Sequence, residues 1–247
     1  MTNEPLTLGI LDCDILHEDL RKEYVSYSHM LQTLFMQVAP SISFTSYPIM
    51  EGIYPESPDE CDGYIITGSK SSVYDSDEWI TKLRDYVRNL ASHRKKMVGI
   101  CFGHQLLAHV LGGRTAKSEQ GWGVGVMTCE NKVIESTSWP NWMHPVKSSY
   151  SLLVSHQDQV VQLPPGATCI ASSKFCPNSA FQVEDYALCF QGHPEFVRDY
   201  SRRLMEMRRD RIPHELIEKG LHSLEANTDH LIVAEWMVNF MRQASCV

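Results

Sequence analysis

The sequence predicts an α/β domain with a mostly parallel central sheet and helices on both faces. Two observations lead to this class. A chain of 247 residues with 43% hydrophobic content can bury a full core. In addition, short apolar runs alternate with longer segments at helical spacing through the first half of the chain, an order typical of parallel sheets. No internal repeat or long linker divides the chain, so a single domain over 1–247 is expected.

The first half contains four predicted strands and three predicted helices. Apolar β-type runs lie at 7–11, 42–47, 61–69 and 97–100. Helical spacing of apolar residues marks 20–38, 77–93 and 102–111.

The second half changes character and is predicted to be mostly strands, followed by a helical tail. The predicted strands lie at 123–130, 152–155, 169–172, 180–183 and 187–191. A charged helical extension begins near 197, breaks at Pro213 and ends in an amphipathic helix at 228–243. Arginines alternate with acids in this extension, a pattern typical of a solvated helix face. A docking surface or a homo-oligomer interface is the alternative role.

Charge and terminal composition exclude several classes of protein. The formal net charge is −8 and the pI about 5.7, without a Lys/Arg block, so neither nucleic acid nor an anionic membrane is an expected partner. The N-terminal segment lacks a basic region followed by an apolar one, and no stretch approaches the length of a membrane span. A soluble, cytoplasmic protein is expected.

The eight cysteines are scattered along the chain. They form no C-x-x-C pair and no His/Cys spacing that suits zinc. We therefore expect reduced thiols in a cytosolic protein, and no metal site.

Residues 99–103, Gly-Ile-Cys-Phe-Gly, match the G-x-S-x-G nucleophile elbow with cysteine in the serine position. A predicted strand precedes the motif and a predicted helix follows it, as the motif requires. Gly99 and Gly103 fit because a Cβ would collide in so tight a turn. The helix N-terminus favours the thiolate form of Cys101, and the N–H of Phe102 is placed to donate to an oxyanion.

A second oxyanion donor has to come from another loop. Gly68, in the turn of the segment ITGSKSS where the predicted β run at 61–69 ends, is the candidate. An ordinary turn at a strand end is the competing interpretation of this segment.

Two histidine–acid pairs are candidates for the general base and its orienting carboxylate. His156 with Asp158 and His193 with Glu195 both have i, i+2 spacing, which puts the two side chains of a pair on one side of an extended chain. His193 follows an apolar strand, as Cys101 does, so both should emerge at the carboxyl edge of a parallel sheet. The sequence thus favours His193 with Glu195.

In this order and separation, the segments GICFGHQ, SHQDQV and GHPE resemble the class I (triad) glutamine amidotransferase domain. TGSKSSVYD and FGHQLLAHVLGG are similar to its stand-alone, GMP-synthetase-like subgroup, and the resemblance covers roughly 60–196. It implies a flavodoxin-like sheet and a γ-glutamyl thioester on Cys101. Proton transfer then runs through His193, which Glu195 orients.

The same resemblance implies a substrate site without a metal or an organic cofactor. Gln105 and the backbone around Ser155 and His156 would hold the glutamine or γ-glutamyl substrate. The family's usual proline- and glycine-rich oxyanion strand is replaced here by Gly-Ser-Lys-Ser-Ser at 68–72.

The fate of the ammonia separates three functional hypotheses. The chain contains no phosphate-binding loop of the kinds found in synthetases. The first hypothesis is therefore a glutaminase that passes ammonia to a separate synthetase subunit. The second is a self-sufficient γ-glutamyl hydrolase or peptidase, and the third is a catalytically quiet binding module, against which an intact triad argues.

Overall fold

The computed structural model describes residues 6–132 and 139–243. Within them, nine strands form one sheet and two short strands pair separately. Cys246 lies outside the described residues. The strands are β1 (Leu6–Asp12), β2 (Ile42–Pro48), β3 (Gly63–Ile66), β4 (Lys96–Ile100), β5 (Arg114–Lys117), β6 (Gly123–Asn131), β7 (Ser149–His156), β8 (Asp158–Gln162), β9 (Ala167–Ser172), β10 (Ala180–Val183) and β11 (Ala187–Phe190).

The sheet has the strand order β2-β1-β3-β4-β11-β10-β9-β6-β7. Its first five strands run parallel, and each later pairing is antiparallel. The register pairs Ile100 of β4 with Phe190 of β11, so the two strands end side by side. Residues that follow β4 and β11 therefore meet at one edge of the sheet. The β5–β8 pair was not predicted, and its strands are only four and five residues long.

Helices cover both faces of the sheet, which confirms the predicted α/β class. They are α1 (Glu18–Tyr24), α2 (Tyr27–Val38), α3 (Glu78–Ser92), α4 (Phe102–Val110), α5 (Arg198–Met207), α6 (His214–Ser223) and α7 (His230–Met241). Alternate residues of each strand point to opposite faces. One face of the sheet packs in a core with α2 and α7, and the other with α3 and α4.

The helix predicted at 20–38 is two helices. Val25 adopts a left-handed φ of 62°, and the side chain of Ser26 caps α2 by accepting from the N–H of His29. The apolar spacing continues across the break because Leu20 and Tyr24 of α1 and Tyr27 of α2 are all buried.

The helical tail packs on the sheet. Pro213 precedes α6 at its N-terminus, as the predicted break requires. The helix predicted as amphipathic at 228–243 is α7, and it is buried on most of its surface because it packs against α2, the sheet and Trp142. No helix of the described residues is long and apolar enough to cross a bilayer.

Candidate active site

Cys101 sits in a strained turn between β4 and α4. Its φ of 51° and ψ of −98° lie outside the usual regions for a side-chain-bearing residue. A Cβ on Gly99 would lie 2.6 Å from the carbonyl of Gly103, and one on Gly103 would lie 2.2 Å from the carbonyl oxygen of Ile66. The two glycines are therefore sterically required, as the motif predicts. The Cys101 side chain borders an open cleft of about 180 Å³.

His193 is held on three sides. Its Nδ1 lies 2.7 Å from Oε1 of Glu195, and its backbone N–H donates to the carbonyl of Leu153 at 2.8 Å. The imidazole stacks on the ring of Phe196, with ring centroids 3.8 Å apart and the planes 9° from parallel. These contacts fix the ring orientation and leave Nε2 for the thiol side. Sequence reasoning missed Phe196, although its place directly after Glu195 was a usable signal.

The charges around His193 favour an imidazolium. Burial by itself would lower the pKa of His193, but the charges of Glu195 and Cys101, with hydrogen bonds to both, raise the pKa to about 10. The structure therefore brings the three predicted residues together at the edge where β4 and β11 end. All three are nearly buried, with 5% exposure for Cys101, 3% for His193 and 4% for Glu195.

His156 has a different environment from His193. Its Nδ1 is 3.0 Å from the backbone carbonyl of Asp158, which can only accept, so Nδ1 carries the proton. Burial lowers the pKa of His156 to about 4, which leaves a neutral ring at physiological pH. The Asp158 carboxylate does not hold the ring. It accepts from the hydroxyl of Ser72 at 2.6 Å and from that of Tyr74 at 3.1 Å.

The loop after β3 packs directly on the histidine. A Cβ on Gly68 would lie 2.8 Å from Cε1 of His193. In the described part of the chain, the N–H groups of Gly68 and Phe102 donate to no acceptor. The N–H of Phe102 is one of the first four of α4, which no helix carbonyl can satisfy.

Two carboxylates hold this loop in place. The N–H of Lys70 donates to Asp14 at 2.8 Å, and Ser72 and Tyr74 donate to Asp158. The segment 68–75, which stands in place of the family's usual proline- and glycine-rich strand, is thus held by side-chain hydrogen bonds. Only the tertiary fold brings Asp14 and Asp158 to this loop.

Gln105, Ser155 and His156 line the same cleft as Cys101. The side-chain amide of Gln105 is already engaged, since its Nε2 donates to the carbonyl of Asp158 at 2.8 Å and to Oε1 of Gln191 at 3.1 Å. The hydroxyl of Ser155 accepts from Arg208 at 2.7 Å. The predicted substrate-binding residues are therefore neighbours on one cleft, and Arg208 of the tail reaches one of them, Ser155.

The described residues include no group of three or more His, Cys, Asp or Glu side chains arranged to hold a metal ion. All seven cysteines in the described chain are free thiols.

The site combines a thiol, an imidazolium, a buried carboxylate and two free N–H donors. These groups suit acyl transfer through a covalent thioester.

Comparison with known proteins gives three findings. Residues 21–208 match the family model described as glutamine amidotransferase class-I. Gamma-glutamyl peptidase 3 of Arabidopsis thaliana is 27% identical over 241 residues, which cover 95% of each chain. The GMP synthase (glutamine-hydrolyzing) of Bacillus subtilis is 34% identical over 137 residues, which are 54% of this chain and 24% of the synthase.

Among solved structures, a glutamine amidotransferase from Thermotoga maritima aligns with a TM-score of 0.74 and 18% identity. The alignment covers 97% of this chain and 100% of that one. At this identity the likeness concerns the fold.

Proposed function

The chain belongs to the class I glutamine amidotransferase family, and we propose that it is a self-sufficient γ-glutamyl hydrolase of the peptidase type. Cys101 is the nucleophile, His193 the general acid and base, and Glu195 the carboxylate that orients the histidine. One observation carries this proposal: Cys101 borders an open cleft and is hydrogen-bonded to the buried His193, whose ring lies 2.7 Å from the carboxylate of Glu195.

The first half-reaction forms the thioester. The Cys101 thiolate attacks the δ-carbonyl carbon of the γ-glutamyl group, and the carbonyl oxygen becomes an oxyanion that accepts from the N–H groups of Phe102 and Gly68. His193, as imidazolium, gives its proton to the leaving nitrogen while the C–N bond breaks. An amine leaves, and the γ-glutamyl group stays on the sulfur.

The second half-reaction regenerates the enzyme. His193 is now neutral and takes a proton from water, and the hydroxide adds to the thioester carbonyl. The C–S bond then breaks, glutamate leaves, and Cys101 and His193 return to the thiolate–imidazolium pair. Glu195 keeps the tautomer and the ring orientation through both steps.

The extent of one match supports peptidase-type hydrolysis. The similarity to an Arabidopsis protein named as a γ-glutamyl peptidase runs along almost the whole of both chains. The B. subtilis GMP synthase, in contrast, matches over about a quarter of its length. That partial match favours a second candidate, a glutaminase that passes ammonia to a separate synthetase.

Kinetics on the purified chain separates the two functions. Wild type and Cys101→Ser are each given glutamine and a set of γ-glutamyl dipeptides, and glutamate release is measured together with the mass of the acyl-enzyme. We expect wild type alone to turn over the dipeptides faster than glutamine, and Cys101→Ser to lose at least about 10⁴-fold in kcat. Cys169→Ser, which changes a cysteine outside the cleft, is the matched control. Failure to cleave any γ-glutamyl dipeptide would contradict the peptidase proposal, and equal activity in Cys101→Ser would contradict the thioester route.

A further inference from the structure

Arg208, at the end of α5, stands out among the arginines of the tail. Its Nη1 donates to the hydroxyl of Ser155 at 2.7 Å, and its guanidinium carbon lies 5.6 Å from the ring centroid of Trp122. Both contacts hold the cation at the cleft that Cys101 borders, and Arg208 lines that cleft. The solvated helix face expected from the sequence therefore does not apply to this residue.

Among the residues that the structure describes, the guanidinium of Arg208 has no acidic partner. Four other arginines of the tail have a carboxylate within 4 Å: Arg202 with Asp199, Arg203 with Glu23, Arg209 with Glu218 and Arg211 with Asp210. Within residues 6–132 and 139–243, no carboxylate lies that close to Arg208, and Ser155 is the only side-chain acceptor for its donors. A fixed but uncompensated cation at a reactive cleft is suited to bind an anion.

The cleft is cationic in a protein of net charge −8. Its lining includes Lys70, Lys117, Arg208 and Arg211, whereas Asp158 is the acid among its lining residues. The Asp158 carboxylate is already occupied by Ser72 and Tyr74, and Lys70 is paired with Asp14 at 3.1 Å. The local field thus favours a negatively charged ligand, and a planar guanidinium matches a carboxylate with two parallel hydrogen bonds.

We propose that Arg208 binds a carboxylate of the substrate, so that the C-terminal extension forms part of the substrate site. This inference rests on the proposed γ-glutamyl hydrolysis. Two carboxylates fit the same chemistry. One is the α-carboxylate of the γ-glutamyl group, and the other is a carboxylate on the leaving amine, as in a γ-glutamyl peptide.

The test compares two chromogenic substrates that differ by one carboxylate on the leaving group, γ-glutamyl-4-nitroanilide and γ-glutamyl-3-carboxy-4-nitroanilide. Steady-state kinetics is measured for wild type, Arg208→Gln, Arg208→Lys and the matched control Arg209→Gln, whose side chain is exposed and pairs with Glu218. We expect Arg208→Gln to raise KM about 10- to 100-fold with a much smaller change in kcat, since it removes a charge-assisted bond made to bound substrate. Arg208→Lys should recover part of the loss, because a charge remains without the planar fork.

The pattern identifies the carboxylate. An equal rise in KM for both substrates assigns Arg208 to the α-carboxylate, and a rise confined to the carboxylated anilide assigns it to the leaving group. If Arg208→Gln unfolds at a lower temperature than wild type, the KM of Arg208→Lys on the two substrates is used instead to identify the carboxylate. The expected rise in that KM is about 3- to 10-fold. KM values equal to those of Arg209→Gln on both substrates would overturn the inference and leave the proposed function standing. Wild type that cleaves neither anilide nor any γ-glutamyl dipeptide would overturn both.

Discussion

The molecule contains two histidine–acid pairs with the same spacing and opposite environments. In His193–Glu195 the carboxylate contacts the ring at 2.7 Å, and the pKa of His193 is raised to about 10, since two neighbouring charges outweigh burial. In His156–Asp158 the ring contacts the backbone carbonyl of the acid and not its carboxylate, and burial lowers the pKa of His156 to about 4.

The difference comes from what each acid faces. Glu195 is enclosed behind His193, with 4% exposure, and has the ring as its partner. Asp158 instead turns to two hydroxyl donors, Ser72 and Tyr74, on the loop after β3. One acid is therefore suited to orient a charged base, and the other to anchor a loop, although the two pairs have the same spacing in the sequence.

Loss of each histidine should separate the two pairs most strongly. We expect His193→Gln to lower kcat/KM by about 10⁴-fold or more, because glutamine cannot take and return the proton. His156→Gln should cost about 10-fold or less, since the expected contribution of that segment to binding is made by its backbone. Hydrolysis of a γ-glutamyl dipeptide measures both variants. Comparable losses would remove the distinction between the two rings.

Loss of the Glu195 charge should have the second largest effect on activity. Glu195→Gln should lower kcat by about 10²- to 10⁴-fold, because the ring loses the carboxylate that fixes its tautomer and stabilises its charge. Burial remains, so the pKa of His193 should fall and the alkaline limb of the pH–rate profile should move to lower pH. The profile is recorded beside that of Glu130→Gln, an exposed residue of β6. An unshifted alkaline limb would contradict the assigned role of Glu195.

Asp158 should act through the loop with a smaller effect. Asp158→Asn weakens the acceptor of Ser72 and Tyr74 and loosens the position of Gly68, so we expect kcat to fall about 10-fold with little change in KM. Ser72→Ala and Tyr74→Phe should each give part of that loss. In Asp158→Asn they should add little, because the contact they remove is already weakened. Full additivity in the double variants, or a shift of the pH–rate profile, would argue against loop anchoring.

The pH dependence of stability should have opposite signs for the two rings. His156 has a folded pKa of about 4, below its ordinary 6.5, so its contribution to stability is present above pH 6.5 and lost as the pH falls toward 4. Between pH 7 and pH 5 this loss amounts to about 2 kcal/mol. His193 has a raised folded pKa, so its contribution is present below pH 6.5 and lost as the pH rises toward 10.

Urea unfolding at several pH values checks these signs. His156→Gln should flatten the loss of stability on the acidic side, and His193→Gln should flatten the loss on the alkaline side. Identical pH slopes in wild type and both variants would mean that the two rings titrate as they do in the unfolded chain.

Local patterns were sufficient for most of the fold. Short, continuous apolar runs predicted the strands of the central sheet, because a strand buried on both faces has to be apolar along its length. The break at Val25 was not predictable, since apolar spacing continues through it and only a capping serine marks it. The pair β5–β8 was missed because four or five residues of mixed burial carry too little periodicity.

The candidate site, like the fold, was predictable from the sequence only in part. By itself the sequence determined the elbow around Cys101 and two histidine–acid pairs of equal spacing, of which it favoured His193–Glu195, because steric need, i, i+2 spacing and the strand before His193 are local properties of the chain. Only the tertiary structure decided which carboxylate faces its ring, which acids hold the loop at Gly68, and that Arg208 of the tail reaches the cleft. Those outcomes depend on contacts between residues as much as 86 positions apart, as in Ser72 with Asp158. Burial and charge at such contacts are set by how the elements pack, which no short segment encodes.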